Sequence, residues 1–340
     1  MSHDTGGGPL GEAAKTAGVR VEPGRSYGFF TDTTLCIGCK ACEVACKQWN
    51  QLPAEPQEST GQSYDNTRQF SATTWRHVRF IEQFDADRFG SADQERRIRD
   101  AALRVAERRQ PVEGEPPVEG QTQRDLPAAV QPWGHWVAGE AWADPAARWL
   151  LMSDVCKHCV HAPCLEACPT GSLIRTEFDS VFIQQDVCNG CGYCQSACPF
   201  GVIEVDKQGD GKAHKCTLCY DRLKDGLEPA CAKSCPTDSI QFGPVDELLE
   251  RASRRVTELR ARGVPAYLYG SGGIHEDACD TSALGGLNCF FLLIDEPEVY
   301  NLPPLARRPS ERTAGSLLGG LLSAAGLAAA TYFALGGDDA

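Results

Sequence analysis

The sequence predicts an α+β protein of two small cysteine-rich units with insertions, followed by one C-terminal transmembrane helix. Three observations predict it. Sixteen of the 18 cysteines fall into four sets of four. The segment Cys168-Pro169-Thr170-Gly171-Ser172-Leu173-Ile174 recurs as Cys235-Pro236-Thr237-Asp238-Ser239-Ile240-Gln241. Residues 314–336 carry no charge over 23 positions.

The composition narrows the classes before any motif is read. A chain of 340 residues has room for about two domains. Its 33 Lys and Arg against 46 Asp and Glu leave a net charge of −13, which argues against nonspecific nucleic-acid binding. Hydrophobic residues at 42% suffice for a buried core. Such cysteine use means a disulfide scaffold or a metal protein. Disulfide scaffolds are small and secreted. This chain is long, and residues 1–28 form a Gly-rich polar tail without an apolar signal core or an arginine pair.

The four sets have a mechanical logic. Cys36, Cys39, Cys42 and Cys46 read C-x2-C-x2-C-x3-C, as do Cys188, Cys191, Cys194 and Cys198. Cys156, Cys159, Cys164 and Cys168 have two extra residues before the third cysteine. Cys216, Cys219, Cys231 and Cys235 have a loop between the second and third. Pro169, Pro199 and Pro236 follow the last cysteine of three sets. Three cysteines at this interval wrap a tight loop around three corners of an iron–sulfur cubane. Gly38 and Gly192 let backbone amides turn toward the sulfurs. The fourth cysteine lies beyond reach of the same cubane and serves the other cluster of a two-cluster unit. Four such sets imply two ferredoxin-like dicluster units and four [4Fe–4S] clusters. Structural zinc is the alternative, but zinc sites present two C-x2-C knuckles parted by a longer spacer.

Sets two and three are parted only by residues 169–187, so they form one unit. Apolar runs around Leu173–Ile174 and Val181–Ile183 read as a hairpin over it. Sets one and four then pair across the chain. The expected segments are residues 1–28, the tail; 29–155, the first motif and a long insertion; 156–215, the inner unit; 216–243, the fourth motif; 244–313, a helix, strand and linker; and 314–336, the membrane helix.

Within the insertion, Thr74–Phe80 reads as a strand. Ile98, Ala102 and Val105 suggest a short helix in a charged stretch that includes the run Pro111–Gly120. Trp133, Trp136, Trp142 and Trp149 read as packing under a loop. After set four, Val245, Leu248, Leu249, Ala252, Val256 and Leu259 trace one helical face, stopped by Gly263. Arg251, Arg254, Arg255, Arg260 and Arg262 read as its solvated face, with a partner contact as the alternative. Asn288–Asp295 reads as a buried strand, with Cys289 a core thiol and Cys279 a free thiol in a loop. His158 and His161 read as neighbours of the ligands or as surface residues.

Residues 314–336 are long enough for one bilayer span. Gly315/Gly319, Gly319/Ser323 and Gly326/Ala330 give small pairs four apart, suited to contact with other membrane helices. Tyr332 and Phe333 belong toward one interface. No catalytic triad, phosphate loop or dinucleotide fingerprint is present in the sequence.

With TTLCIGCKACEVACKQWN, CNGCGYCQSACPFG, KCTLCYDRLKDGLEPACAKSCPTDSIQFG and the terminal span in view, the chain resembles the iron–sulfur (beta) subunit of membrane-bound respiratory formate dehydrogenase. The wider group holds four-cluster subunits of other molybdopterin oxidoreductases and of some hydrogenases, which remain the alternative. A soluble ferredoxin-like carrier and a zinc-stabilised interaction module are more distant ones. The longer segment around residues 85–143 departs from the pattern.

The resemblance implies a chain without a catalytic site, conducting electrons from a molybdenum or tungsten pterin centre in an alpha subunit to a membrane cytochrome b gamma subunit and quinone. Together with the pairing of the sets, it implies these ligands: Cys36, Cys39, Cys42 and Cys235 for cluster one; Cys46, Cys216, Cys219 and Cys231 for cluster two; Cys156, Cys159, Cys164 and Cys198 for cluster three; Cys168, Cys188, Cys191 and Cys194 for cluster four. Two arguments on the membrane side collide. Arg307, Arg308 and Arg312 precede the span and Asp338 and Asp339 follow it, which would keep the cluster domain cytoplasmic. The resemblance implies export in folded form on a twin-arginine signal of the alpha subunit. The expectation is therefore a single-pass plasma-membrane protein with its cluster domain on the outer face.

Overall fold

The structure is a computed structural model that describes residues 21–54, 64–65, 67–84 and 147–335. In chain order it contains β1 (Tyr27–Asp32), α1 (Ala41–Trp49), β2 (Arg76–Phe84), β3 (Ala147–Val155), α2 (Pro163–Glu166), β4 (Leu173–Arg175) and β5 (Val181–Ile183). There follow α3 (Tyr193–Ala197), β6 (Glu204–Val205), β7 (Ala213–His214), α4 (Tyr220–Lys224), α5 (Ala230–Lys233) and β8 (Ile240–Pro244). The chain closes with α6 (Val245–Ala261), β9 (Tyr267–Tyr269), β10 (Cys289–Leu293) and α7 (Pro309–Leu335).

A four-stranded sheet of order β8-β1-β10-β9 is the frame. Tyr-Gly-Phe-Phe and Cys-Phe-Phe-Leu-Leu are aromatic and aliphatic runs without alternation, as strands covered on both faces require. Every residue of β1 and β10 is buried. The two run parallel, with Phe29 opposite Cys289 and Phe30 opposite Phe290. Gly28 allows this approach: a Cβ there would stand 1.6 Å from the Asn288 carbonyl oxygen. β8 pairs antiparallel to β1, which brings the end of set four beside the start of set one.

The apolar stripe of α6 packs on this sheet through Leu248, Ala252, Val256 and Leu259. Gly263, at φ +79°, ends the helix in the left-handed region. The arginine face is not simply solvated. Arg255 Nε donates to Asp32 Oδ2 at 3.0 Å, and Asp32 is fully buried at the end of β1. A buried carboxylate needs a cation, and α6 supplies it. Arg260 reaches Asp277 and Arg262 reaches Glu258.

β2 and β3 form a long antiparallel ribbon from Arg76 opposite Val155 to Phe84 opposite Ala147. The strand expected at Thr74–Phe80 starts two residues later and runs four further. The ribbon brings the two ends of the insertion side by side. The expected helix at Ile98, Ala102 and Val105, and Trp133, Trp136 and Trp142, lie outside the described residues. Trp149 packs edge-on against Phe80, with ring centroids 6.4 Å apart. The hairpin expected between sets two and three is β4 and β5, with Leu173 opposite Ile183.

α7 covers the apolar C-terminal stretch in one helix of 27 residues. Among the described residues, no helix is long and apolar enough to cross a membrane. The expected span at residues 314–336 falls partly outside them. Where side chains are described along α7 they are exposed, including Leu321, Leu322 and Leu327.

Candidate iron–sulfur sites

All four cysteine loops share one local device. The residue two positions after the first cysteine is left-handed: Gly38 at φ +67°, His158 at +44°, Gly190 at +71° and Leu218 at +58°. That reversal turns the loop back so that successive thiols face one point. Each loop leads into a short helix; in set four Cys219 runs directly into α4, and α5 follows to carry the third cysteine. Cys42 and Cys46 lie on α1, Cys164 on α2, Cys194 on α3 and Cys231 on α5. Cys168, Cys198 and Cys235 stand just past their helices. Gly190 is the tightest of the turns. A Cβ there would meet the Gly211 carbonyl oxygen at 1.9 Å.

The thiols converge in four groups. Cys36, Cys39, Cys42 and Cys235 line one pocket together. Cys156, Cys159, Cys164 and Cys198 line another. Burial pushes the Cys46 thiol pKa well up, and Cys216, Cys231 and Cys219 raise it further. Burial likewise lifts Cys194 to about 11, with Cys188, Cys168 and Cys191 adding to the rise. The groups also adjoin one another in sequence. Cys42 feels Cys231, Cys216 feels Cys156, and Cys164 feels Cys194. Those neighbours link the first group to the second, the second to the third and the third to the fourth.

The donor chemistry fits iron–sulfur cubanes. Every cysteine is a free thiol. Backbone amides point at the sulfurs: Leu218 N–H donates to Cys216 Sγ at 3.4 Å and Ala213 N–H to Cys188 Sγ at 3.5 Å. Cys168 differs from its buried counterparts. Burial raises it, but hydrogen bonds from Ser172 and Thr170 and backbone amides bring its pKa down to about 6. Burial raises Cys42 and Cys216 to about 12, so loading these sites expels protons.

Several polar residues around the groups escaped the sequence reading. Lys157 and Lys215 are fully buried, each beside a ligand-type cysteine, and that adjacency is visible in the sequence. Lys157 is paired with Asp154, and its ammonium lies 5.1 Å from the Phe200 ring centroid and 5.0 Å from that of Phe291. Lys215 Nζ donates to the carbonyls of Val181 at 2.5 Å and Cys216 at 2.7 Å. Arg76, at the start of β2, carried no signal that set it apart from a strand residue. His158 is buried and its Nδ1 accepts from Val181 N–H at 3.0 Å, whereas His161 is exposed. Cys289 is fully buried in β10 and Cys279 is partly exposed.

Known proteins give the arrangement its family. Residues 147–245 match the model of the 4Fe-4S dicluster domain, a stretch that takes in sets two, three and four. The iron–sulfur subunit of nitrate-inducible formate dehydrogenase from Escherichia coli is 33% identical over 306 residues, covering 89% of this chain and 79% of the relative. This chain therefore belongs to the family of formate dehydrogenase iron–sulfur subunits. The Haemophilus influenzae formate dehydrogenase iron–sulfur subunit is 31% identical over 79% of this chain and 66% of its own length. The B subunit of the anaerobic dimethyl sulfoxide reductase of Escherichia coli is 30% identical over 66% of this chain and 77% of its own. As an iron–sulfur subunit, the chain holds [4Fe–4S] clusters and transfers electrons; it is not the catalytic subunit of its complex.

Proposed function

We propose that the chain carries four [4Fe–4S] clusters and relays electrons from a molybdopterin subunit that oxidises formate to a membrane cytochrome b partner and quinone. The ligand sets are Cys36, Cys39, Cys42 and Cys235; Cys46, Cys216, Cys219 and Cys231; Cys156, Cys159, Cys164 and Cys198; and Cys168, Cys188, Cys191 and Cys194. The observation that carries this reading is the row of four thiol groups, each of four cysteines. Bound cubanes supply one-electron exchange there. The polypeptide shields them, aims amides at their sulfurs and fixes their order.

The row has two outlets. Cys39 is exposed in the first group and Cys191 in the last. Ile37, between Cys36 and Cys39, is exposed near the first outlet; Val187, beside Cys188, and Tyr193, between Cys191 and Cys194, are exposed near the last. The start of α7 is tied to Glu166, between Cys164 and Cys168, by Arg308 and Ser310 at 3.0 Å each. The membrane partner therefore belongs at the Cys191 end and the catalytic partner at the Cys39 end. The dimethyl sulfoxide reductase likeness keeps a second substrate class in view. Formate added to the anaerobic complex should bleach the cluster absorption. Absence of bleaching in a fully loaded complex would favour that second class.

Residues 314–336 serve in this reading as a single membrane span, with the cluster domain on the outer face and the C-terminus inside. Support comes from the charge-free run and from the exposed leucines of α7. Deleting residues 314–340 should release the chain from membranes with its cluster absorption intact, since no cysteine lies there. A truncated chain that survives high-salt washing on the membrane would mean anchoring through partners. Protease added to intact spheroplasts should degrade residues 1–313; their protection until lysis would place the domain in the cytoplasm.

A further inference from the structure

Arg76 is 1% exposed and forms no ion pair with a carboxylate among the described residues. A buried guanidinium is costly unless an anion compensates it. Its Nη1 donates to Ser153 Oγ at 2.9 Å, and that hydroxyl lies 3.1 Å from Cys42 Sγ. The Phe29 ring covers the guanidinium at 4.8 Å. Nε and Nη2 have no hydrogen-bond partner. Burial opposes its charge, and the thiol groups of Cys231, Cys42, Cys216 and Cys46 lie near enough to favour it. Cys42 belongs to the first thiol group and the other three to the second.

We propose that Arg76 is a positioning residue, a shared counter-ion at the junction of the first two clusters that holds both potentials up. The inference rests on the four-cluster reading. A cubane with four thiolate ligands is anionic and becomes more so when it accepts an electron. A fixed cation in a dry, low-dielectric setting therefore favours the reduced form. Phe29 and Ser153 hold the guanidinium where water cannot screen it. Two unpaired donors remain for the sulfurs of the loaded sites, and such hydrogen bonds act in the same direction.

The test is an EPR-monitored redox titration of the loaded complex carrying wild-type chain, Arg76→Gln or Arg76→Lys. In Arg76→Gln, the reduced-to-oxidised ratio of the first two clusters at fixed poise should fall about tenfold, or 59 mV for a one-electron couple. The other two clusters should keep their ratios. Arg76→Lys retains the charge and should stay within about twofold of wild type. Unchanged ratios in Arg76→Gln, an equal fall in all four clusters, or an equal fall in both variants would overturn the assignment. Should Arg76→Gln fail to hold iron at the first two sites, Arg76→Lys decides alone: a near-wild-type ratio supports the role and a tenfold fall refutes it. Wild-type iron well short of about sixteen per chain fails the four-cluster reading instead, so the two failures are distinguishable.

Discussion

Cys46→Ser is expected to remove the same EPR signal as Cys216→Ser and to leave intact the signal that Cys36→Ser removes. Cys46 is the last cysteine of the first set, yet α1 carries it away from Cys36 and toward Cys216, Cys219 and Cys231. Cys235 makes the reciprocal crossing. β8 runs antiparallel to β1 and returns the end of set four to the cavity of Cys36, Cys39 and Cys42. The substitution should therefore cost one cluster whole and spare its neighbour in the sequence. A shared loss in Cys46→Ser and Cys36→Ser, with the Cys216→Ser signal untouched, would show that each set serves a single cluster.

Asp154→Ala is expected to destabilise the protein by about 3–5 kcal/mol, the range for breaking one side of a buried ion pair. Asp154 and Lys157 are both fully buried. The carboxylate also accepts from Arg79 Nε at 3.1 Å and from Val155 N–H at 2.8 Å. Burial raises its pKa, but Lys157, Arg79 and these hydrogen bonds hold it below the ordinary carboxylate value. Removing it leaves the buried Lys157 ammonium without a carboxylate among the described residues, held by the Val155 carbonyl and the Phe200 and Phe291 rings. Denaturation under anaerobic conditions measures the loss. Asp154→Leu combined with Lys157→Met should recover most of it, because replacing a buried pair with apolar residues is often neutral. A single variant within about 0.5 kcal/mol of wild type would mean that water reaches the pair.

The four cysteine loops were legible in the sequence because a loop of this kind is written in local spacing. A left-handed turn two residues after the first cysteine is the same device in all four loops; Gly38 sits at that turn, whereas Gly192 caps α3 and it is Gly190 that makes the turn in set three. His158 and Leu218 adopt it without any such signal. The hairpin at Leu173–Ile183 and the helix from Val245 followed from periodicity over short range. Long-range features stayed hidden. The parallel pairing of Tyr27–Asp32 with Cys289–Leu293 joins segments about 260 residues apart, and neither run names its neighbour. Arg255 looked like one more solvated arginine because its partner, Asp32, is distant in the chain. Arg76 sits in an ordinary strand pattern, and only the fold places it beside two cysteine groups.

Iron and zinc counted per chain in anaerobically prepared protein test the four-cluster account most directly. Four cubanes predict about sixteen irons per chain, matched by about sixteen acid-labile sulfides, and no zinc. Half that iron, or one zinc for each group of four thiols, would contradict it.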